Sequence, residues 1–156
     1  MINEYGDIYS ESFDLRSIKN KKELMHTELR SFPVAGAVLL HIFTLGFFSL
    51  IYYGLAHSKL PKIRQDDFSA GRAIGFRFIP FYNLYWLFVF WLRLVDRLNL
   101  QLRLRGFRAE VPKSLILTNR ILGLIPYLNF VTLPILSPIC IGFVQSGINK
   151  IVAAKK

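Results

Sequence analysis

The sequence predicts an all-α, polytopic helical membrane protein with three or four membrane-inserted helices and an amphipathic amino-terminal arm. Three observations carry this reading. Ser31 to Ser58 is a run of 28 residues without Asp, Glu, Lys or Arg, and Ile121 to Asn149 is a second such run of 29; a helix needs only ~20 apolar residues to cross a hydrocarbon core about 30 Å thick. The 156-residue chain is 53% hydrophobic and 15% aromatic with a single cysteine, which excludes disordered and disulfide-scaffold classes. Its formal charge of +10 is gathered between the apolar runs, as charges that set membrane orientation are. A soluble core of three buried helices would not need two runs that each exceed the spanning length.

Residues 1–31 form a polar, interfacial arm with six acids and five bases. Asn20 followed by Glu23 has the spacing of a capping box and predicts a short helix that brings Leu24, Met25 and Leu29 together. A single helical membrane domain covers 32–153. Its first span is expected at about 33–57; that stretch is longer than the ~7–15-residue core of a cleaved signal and follows a mixed-charge segment, so it is expected to be retained.

Residues 59–72 make the first link, with four bases and two acids. The second span is expected at about 76–95, where Phe78 to Leu92 gives 15 uncharged residues, long enough only if Arg77 and Arg93 snorkel at its two ends. Leu92, Val95, Leu98 and Leu102 continue the helical spacing into a basic link at 93–113. From Arg93 to Arg120 there are seven bases against two acids. Lys and Arg are retained on the cytoplasmic side, so this link and the amino terminus are placed there, with the first link opposite.

Pro126, Pro134 and Pro138 interrupt the second long run. They predict two pieces, 114–126, short or re-entrant, and a span at 131–151.

Ile79-Pro80-Phe81-Tyr82-Asn83 and Ile125-Pro126-Tyr127-Leu128-Asn129 repeat one pattern at an offset of 46 residues. A proline setting a helix start beside an asparagine that bonds the turn explains it locally; a transporter reading would place a site where Asn83 and Asn129 meet. His41 is the sharpest polar oddity within an apolar run, and bonding across helices to Thr44, Asn83 or Gln145 would satisfy it. A polar intramembrane pathway would be built from His41, Asn83, Asn129, Gln145 and Asn149. Arg97, Arg103, Arg105 and Arg108 follow a span, where each base attracts an anionic leaflet by ~1 kcal/mol; they are the expected contacts to anionic lipid or a partner, in preference to nucleic acid. Gly71-x-x-x-Gly75 and Gly142-x-x-x-Ser146 carry small residues one turn apart, a device for close helix packing. No catalytic, metal or cofactor motif is found; Asp66-Asp67 reads as a solvated turn.

Thr44-Leu45-Gly46, Phe47-Phe48, Tyr52-Tyr53 and Ile79-Pro80-Phe81-Tyr82-Asn83-Leu84-Tyr85-Trp86 leading into Leu98-Asn99 resemble a group of small, uncharacterised bacterial integral membrane proteins with domains of unknown function, over about residues 33–100. The resemblance implies a bacterial inner-membrane setting. The expected role is non-enzymatic: a binding, scaffold or assembly partner of a membrane complex, with membrane lipids and another membrane protein or a second copy as partners and no cofactor. A small transporter or channel is the alternative.

Overall fold

The computed structural model describes residues 8–9, 14, 20–62, 66–108 and 110–154. Most of residues 1–19, with Arg16 and Lys19, and the terminal Lys155 and Lys156 lie outside the described residues. The described residues form helices and no strand, in the order α1 Lys21–Leu24, α2 Val34–Phe43, α3 Phe47–Lys59, α4 Ala70–Gly75 with a 3-10 turn Phe76–Phe78, α5 Tyr82–Leu104, α6 Lys113–Leu122, α7 Pro126–Val131, a π turn Thr132–Leu136, and α8 Ser137–Ala153.

The first charge-free run is not one span. It breaks after Phe43: Leu45 and Gly46 take positive φ of 50° and 89°, and the Gly46 amide donates to His41 O at 2.7 Å. A glycine adopts that conformation without the Cβ penalty that other residues meet. The chain therefore reverses, and α2 and α3 form a hairpin. The same plan recurs twice. α4 runs into the turn Phe78–Phe81 and returns as α5; α6 runs into Gly123–Ile125 and returns as α7, the π turn and α8. In both of these turns the repeated sequence makes the same bond, Asn83 N to Ile79 O at 2.9 Å and Asn129 N to Ile125 O at 3.0 Å. The shared bond is a main-chain one: the asparagine side chains differ, Asn129 accepting from Thr132 while Asn83 Oδ1 has no partner among the described residues, and helix begins at Tyr82 after a positive-φ Phe81 in one turn and at Pro126 in the other.

Opposite the turns, the links and the arm are tied into one polar end. Arg97, 1% exposed, donates through Nη2 to His57 O at 2.9 Å, Pro61 O at 3.1 Å and Leu60 O, and through Nη1 to Phe68 O at 3.3 Å. Asn99 exchanges two bonds with the backbone of Val111, at 2.9 and 2.8 Å. Gln101 and Arg105 donate to Leu24 O and Met25 O at 2.6 and 2.7 Å, and Lys113 pairs with Asp96 at 2.6 Å. The first link thus lies on the same side as the second, where the sequence placed it opposite; the reversal at Gly46 brings it back. Ile8, Leu24 and Met25 pack on Leu100 and Leu104, so the arm is seated on α5. Asn20 precedes α1 without a side-chain capping bond.

The core lies between the hairpins, with Tyr53, Phe90, Leu94, Leu98, Ile141, Val144 and Ile148 fully enclosed. The closest approaches are at Gly54, where a Cβ would meet Ile74 Cγ1 at 2.6 Å, and Gly147, where it would meet Val111 Cγ2 at 2.8 Å. Gly71 and Gly75 have nothing within 4 Å, and at Gly142 the nearest atom is Val34 Cγ1 at 3.9 Å. Tight packing is thus carried by Gly54 and Gly147, not by the spaced pairs. α8 lies along α2, and its Asn149 pairs with both backbone groups of Phe32, at 3.1 and 2.8 Å.

Among the described residues one helix, Pro126–Ala153 taken through the π turn as 28 residues, is long and apolar enough to cross a membrane. α2 is apolar but has only 10 residues. Three or four separate spans, as expected at 33–57, 76–95, 114–126 and 131–151, are not confirmed by the length and composition of these helices.

Candidate functional site

The three turns converge around one cavity of ≈ 380 Å³. The α2–α3 turn supplies Thr44 to Phe47, the 3-10 turn supplies Arg77, and the third hairpin supplies Arg120, Gly123 and Asn129. Leu87, Phe90 and Trp91 of α5 form its back wall. Proline and glycine place these residues: they force each chain to turn at the same end, so groups far apart in sequence meet there.

The polar atoms of the wall are mostly engaged with one another. His41 Nδ1 and Ser49 Oγ are 2.8 Å apart, Asn119 and Ser137 exchange bonds at 3.1 and 3.3 Å, and Thr132 Oγ1 donates to Asn129 at 3.4 Å. His41 thus takes its Nδ1 partner from the other helix of its own hairpin, not from Thr44, Asn83 or Gln145, while its Nε2 is buried without a partner among the described residues. The cations are not so engaged. The Arg120 guanidinium carbon lies 4.9 Å over the Trp91 ring, within cation–π range, while its Nε and Nη2 are buried and without a partner among the described residues. Arg77 lines the same cavity, and among the described residues no Asp or Glu does.

Of the five expected pathway residues, two meet at this cavity. His41 and Asn129 line the cavity. Asn83 is not among its lining residues, and Gln145 and Asn149 are spent at the polar end: Gln145 accepts from Tyr53 at 3.2 Å and donates to Phe32 O at 3.2 Å and to Asn149 at 3.0 Å. The basic set also separates. Arg97 is internal and cannot touch lipid, a correction that follows from its four backbone carbonyls; burial pulls its pKa down, opposed by Asp67 and Tyr9. Arg103 donates to Ile8 O at 3.1 Å and faces Glu110 at 3.7 Å. Arg105 is turned onto Met25 O and Gln101, and burial lowers its pKa as well. Arg108 alone of the four is exposed.

From the sequence Arg77 is expected to snorkel at the end of a span and Arg120 to be one base of the second link; neither is expected at a site. A signal was present: Arg120 is the one charge between Lys113 and Lys150, and a lone arginine in an apolar stretch generally faces a cavity or partner. Comparison with protein-family models, curated proteins and solved structures finds no match to this chain.

Proposed function

We propose that the protein is a non-enzymatic inner-membrane protein that inserts its hairpin turns into the hydrocarbon and serves there as a binding, scaffold or assembly partner, with its basic end in the cytoplasm. The observation that supports this is the apolar surface at the turns. Phe43 is 80% exposed, Phe81 90%, Tyr127 86% and Phe130 82%, and Leu45, Phe47, Phe78, Ile79 and Tyr85 surround them. Soluble monomers rarely leave contiguous apolar patches larger than a few hundred Å². The 10-residue helices α2 and α6 rise only ~15 Å each, about half of a ~30 Å hydrocarbon core. In this reading the hairpins enter and leave by the same face.

The test is fractionation of cells expressing the full chain, followed by labelling with an impermeant thiol reagent at single cysteines. The protein is expected to sediment with membranes and resist alkaline carbonate, with cysteines at Lys62 and Arg108 labelled from the cytoplasmic side. Recovery in the soluble fraction overturns membrane insertion; recovery only as a lone monomer after crosslinking in membranes overturns the scaffold role. The cavity shared by His41 and Asn129 gives the transporter reading one observation, which solute flux into proteoliposomes, with and without Asn129→Ala, addresses.

A further inference from the structure

We propose that the cavity among the three turns binds the phosphate-bearing headgroup of a membrane amphiphile, held by Arg120 and Arg77. The inference deepens the proposed function by naming what the inserted end binds, and rests on it for the source of the ligand.

Charge is the first argument. Two guanidinium groups line the cavity, and among the described residues no carboxylate does. A buried cation without a counterion is costly in any low-dielectric medium, so the wall is complementary to an anion. Geometry is the second. The Arg120 guanidinium carbon sits 4.9 Å from the centre of the Trp91 ring, and its Nε and Nη2 are buried without a partner among the described residues. Those two atoms are one edge of the fork with which arginine binds phosphate or carboxylate in two parallel bonds. Nearby Asn119, Ser137 and Ser49 are able to add weaker bonds.

The walls decide between soluble and lipid sources. Leu45, Phe47, Leu50 and Leu133 line the cavity, and the surface outside the turns is apolar as well. An acyl or isoprenoid chain leaving the cavity therefore meets apolar side chains, whereas a wholly polar solute gains nothing from them. The volume, ≈ 380 Å³, falls in the ~300–1,000 Å³ range of small-molecule sites and suits a headgroup with the first carbons of its tail.

The experiment measures the thermal unfolding midpoint of the full chain in dodecyl maltoside, with dioleoyl phosphatidate, dioleoylglycerol or inorganic phosphate added. Phosphatidate is expected to raise the midpoint by roughly 5 °C or more at saturation, dioleoylglycerol to leave it unchanged, and inorganic phosphate to give a smaller rise at millimolar concentration. Arg120→Gln and Arg77→Gln are expected to abolish the rise, and Arg108→Gln, at the polar end, to retain it. A full rise with inorganic phosphate alone would overturn the amphiphile as the source. The phosphate site itself is overturned if phosphatidate has no effect on the wild type, if dioleoylglycerol matches it, or if both cavity variants keep the rise. Should Arg120→Gln fail to fold, Arg77→Gln still decides. Vesicle flotation keeps the readings apart: a wild type that floats but shows no phosphatidate response rejects the site alone, while a wild type that does not float rejects membrane insertion.

Discussion

Arg97 is the residue on which the polar end closes, because one guanidinium gathers carbonyls from the end of α3 and from the first link. Leaving such acceptors buried and unpaired costs about 1–3 kcal/mol each. Arg97→Met is therefore expected to lower the unfolding free energy by roughly 3 kcal/mol or more, read as loss of helical circular dichroism in a denaturing-detergent titration; Arg97→Lys, a point charge without the fork, recovers only part. A wild-type-like titration for Arg97→Met would remove the clamp. Tyr9 ties the arm to the same end through its hydroxyl, which donates to Asp67 at 2.6 Å. Burial, then the Asp67 bond, pushes the phenol above its ordinary pKa of 10.0. The folded state therefore holds the proton more tightly than the unfolded chain. The contribution is fully present below pH ~10 and fades as pH rises above it. Tyr9→Phe is expected to cost ~1–3 kcal/mol at pH 8, and the difference from wild type is expected to shrink at more alkaline pH.

At the scale of elements, the turns and close approaches decide the architecture. Gly46→Ala meets a positive φ of 89° and is expected to destabilise by ~1–2 kcal/mol. Gly71→Ala meets nothing within 4 Å on helix α4 and is expected to stabilise by ~0.5–1 kcal/mol. The opposite signs, measured by unfolding, test the hairpin against a continuous helix, in which both alanines would stabilise. Gly147→Ala is expected to destabilise through Val111 and to be rescued by Val111→Ala. This scale also shows what the sequence made legible. The repeated Ile-Pro-aromatic-x-Asn pattern was readable as the approach to a helix, but the breaks were misplaced: the expected pieces began at 76 and ended at 126, whereas helix begins at Tyr82, stops at Leu122 and resumes at Pro126. The reversal at Leu45–Gly46 was not readable: hydropathy is the same for one long helix and for two short antiparallel ones, and a single glycine inside an apolar run is common in membrane helices. Ser49 as the partner of His41 depends on that reversal, so it was hidden with it.

For the whole molecule, polarity is divided end to end. Arg97, Arg103 and Arg105 are turned inward onto the links and arm, so a count of bases overstated the charge that faces lipid. The exposed apolar turns are the complementary half. Phe81→Asp together with Tyr127→Asp is expected to reduce flotation with vesicles by tenfold or more, since each charge placed in hydrocarbon costs ~2.5–3.5 kcal/mol, without lowering stability in detergent, because both side chains are almost wholly exposed. Unchanged flotation would detach these turns from the bilayer. The convergence of Arg77, Arg120 and His41 is a property of this scale alone, since it requires three reversals to end at the same height.

The pairing of α2 with α8 has a consequence for biosynthesis. Ala37 and His41 are buried on the helix that runs beside α8, and Phe32 takes its partners from Gln145 and Asn149, more than a hundred residues later. At ~5–20 residues per second on the ribosome, that flank of the nascent chain stays bare for roughly 5–20 s. Folding from the amino terminus onward cannot finish it; the last helix made is the one that locks the first hairpin. Ribosomes stalled before Ser137 should thus display an uncovered α2 that protease cleaves and that full-length chains protect.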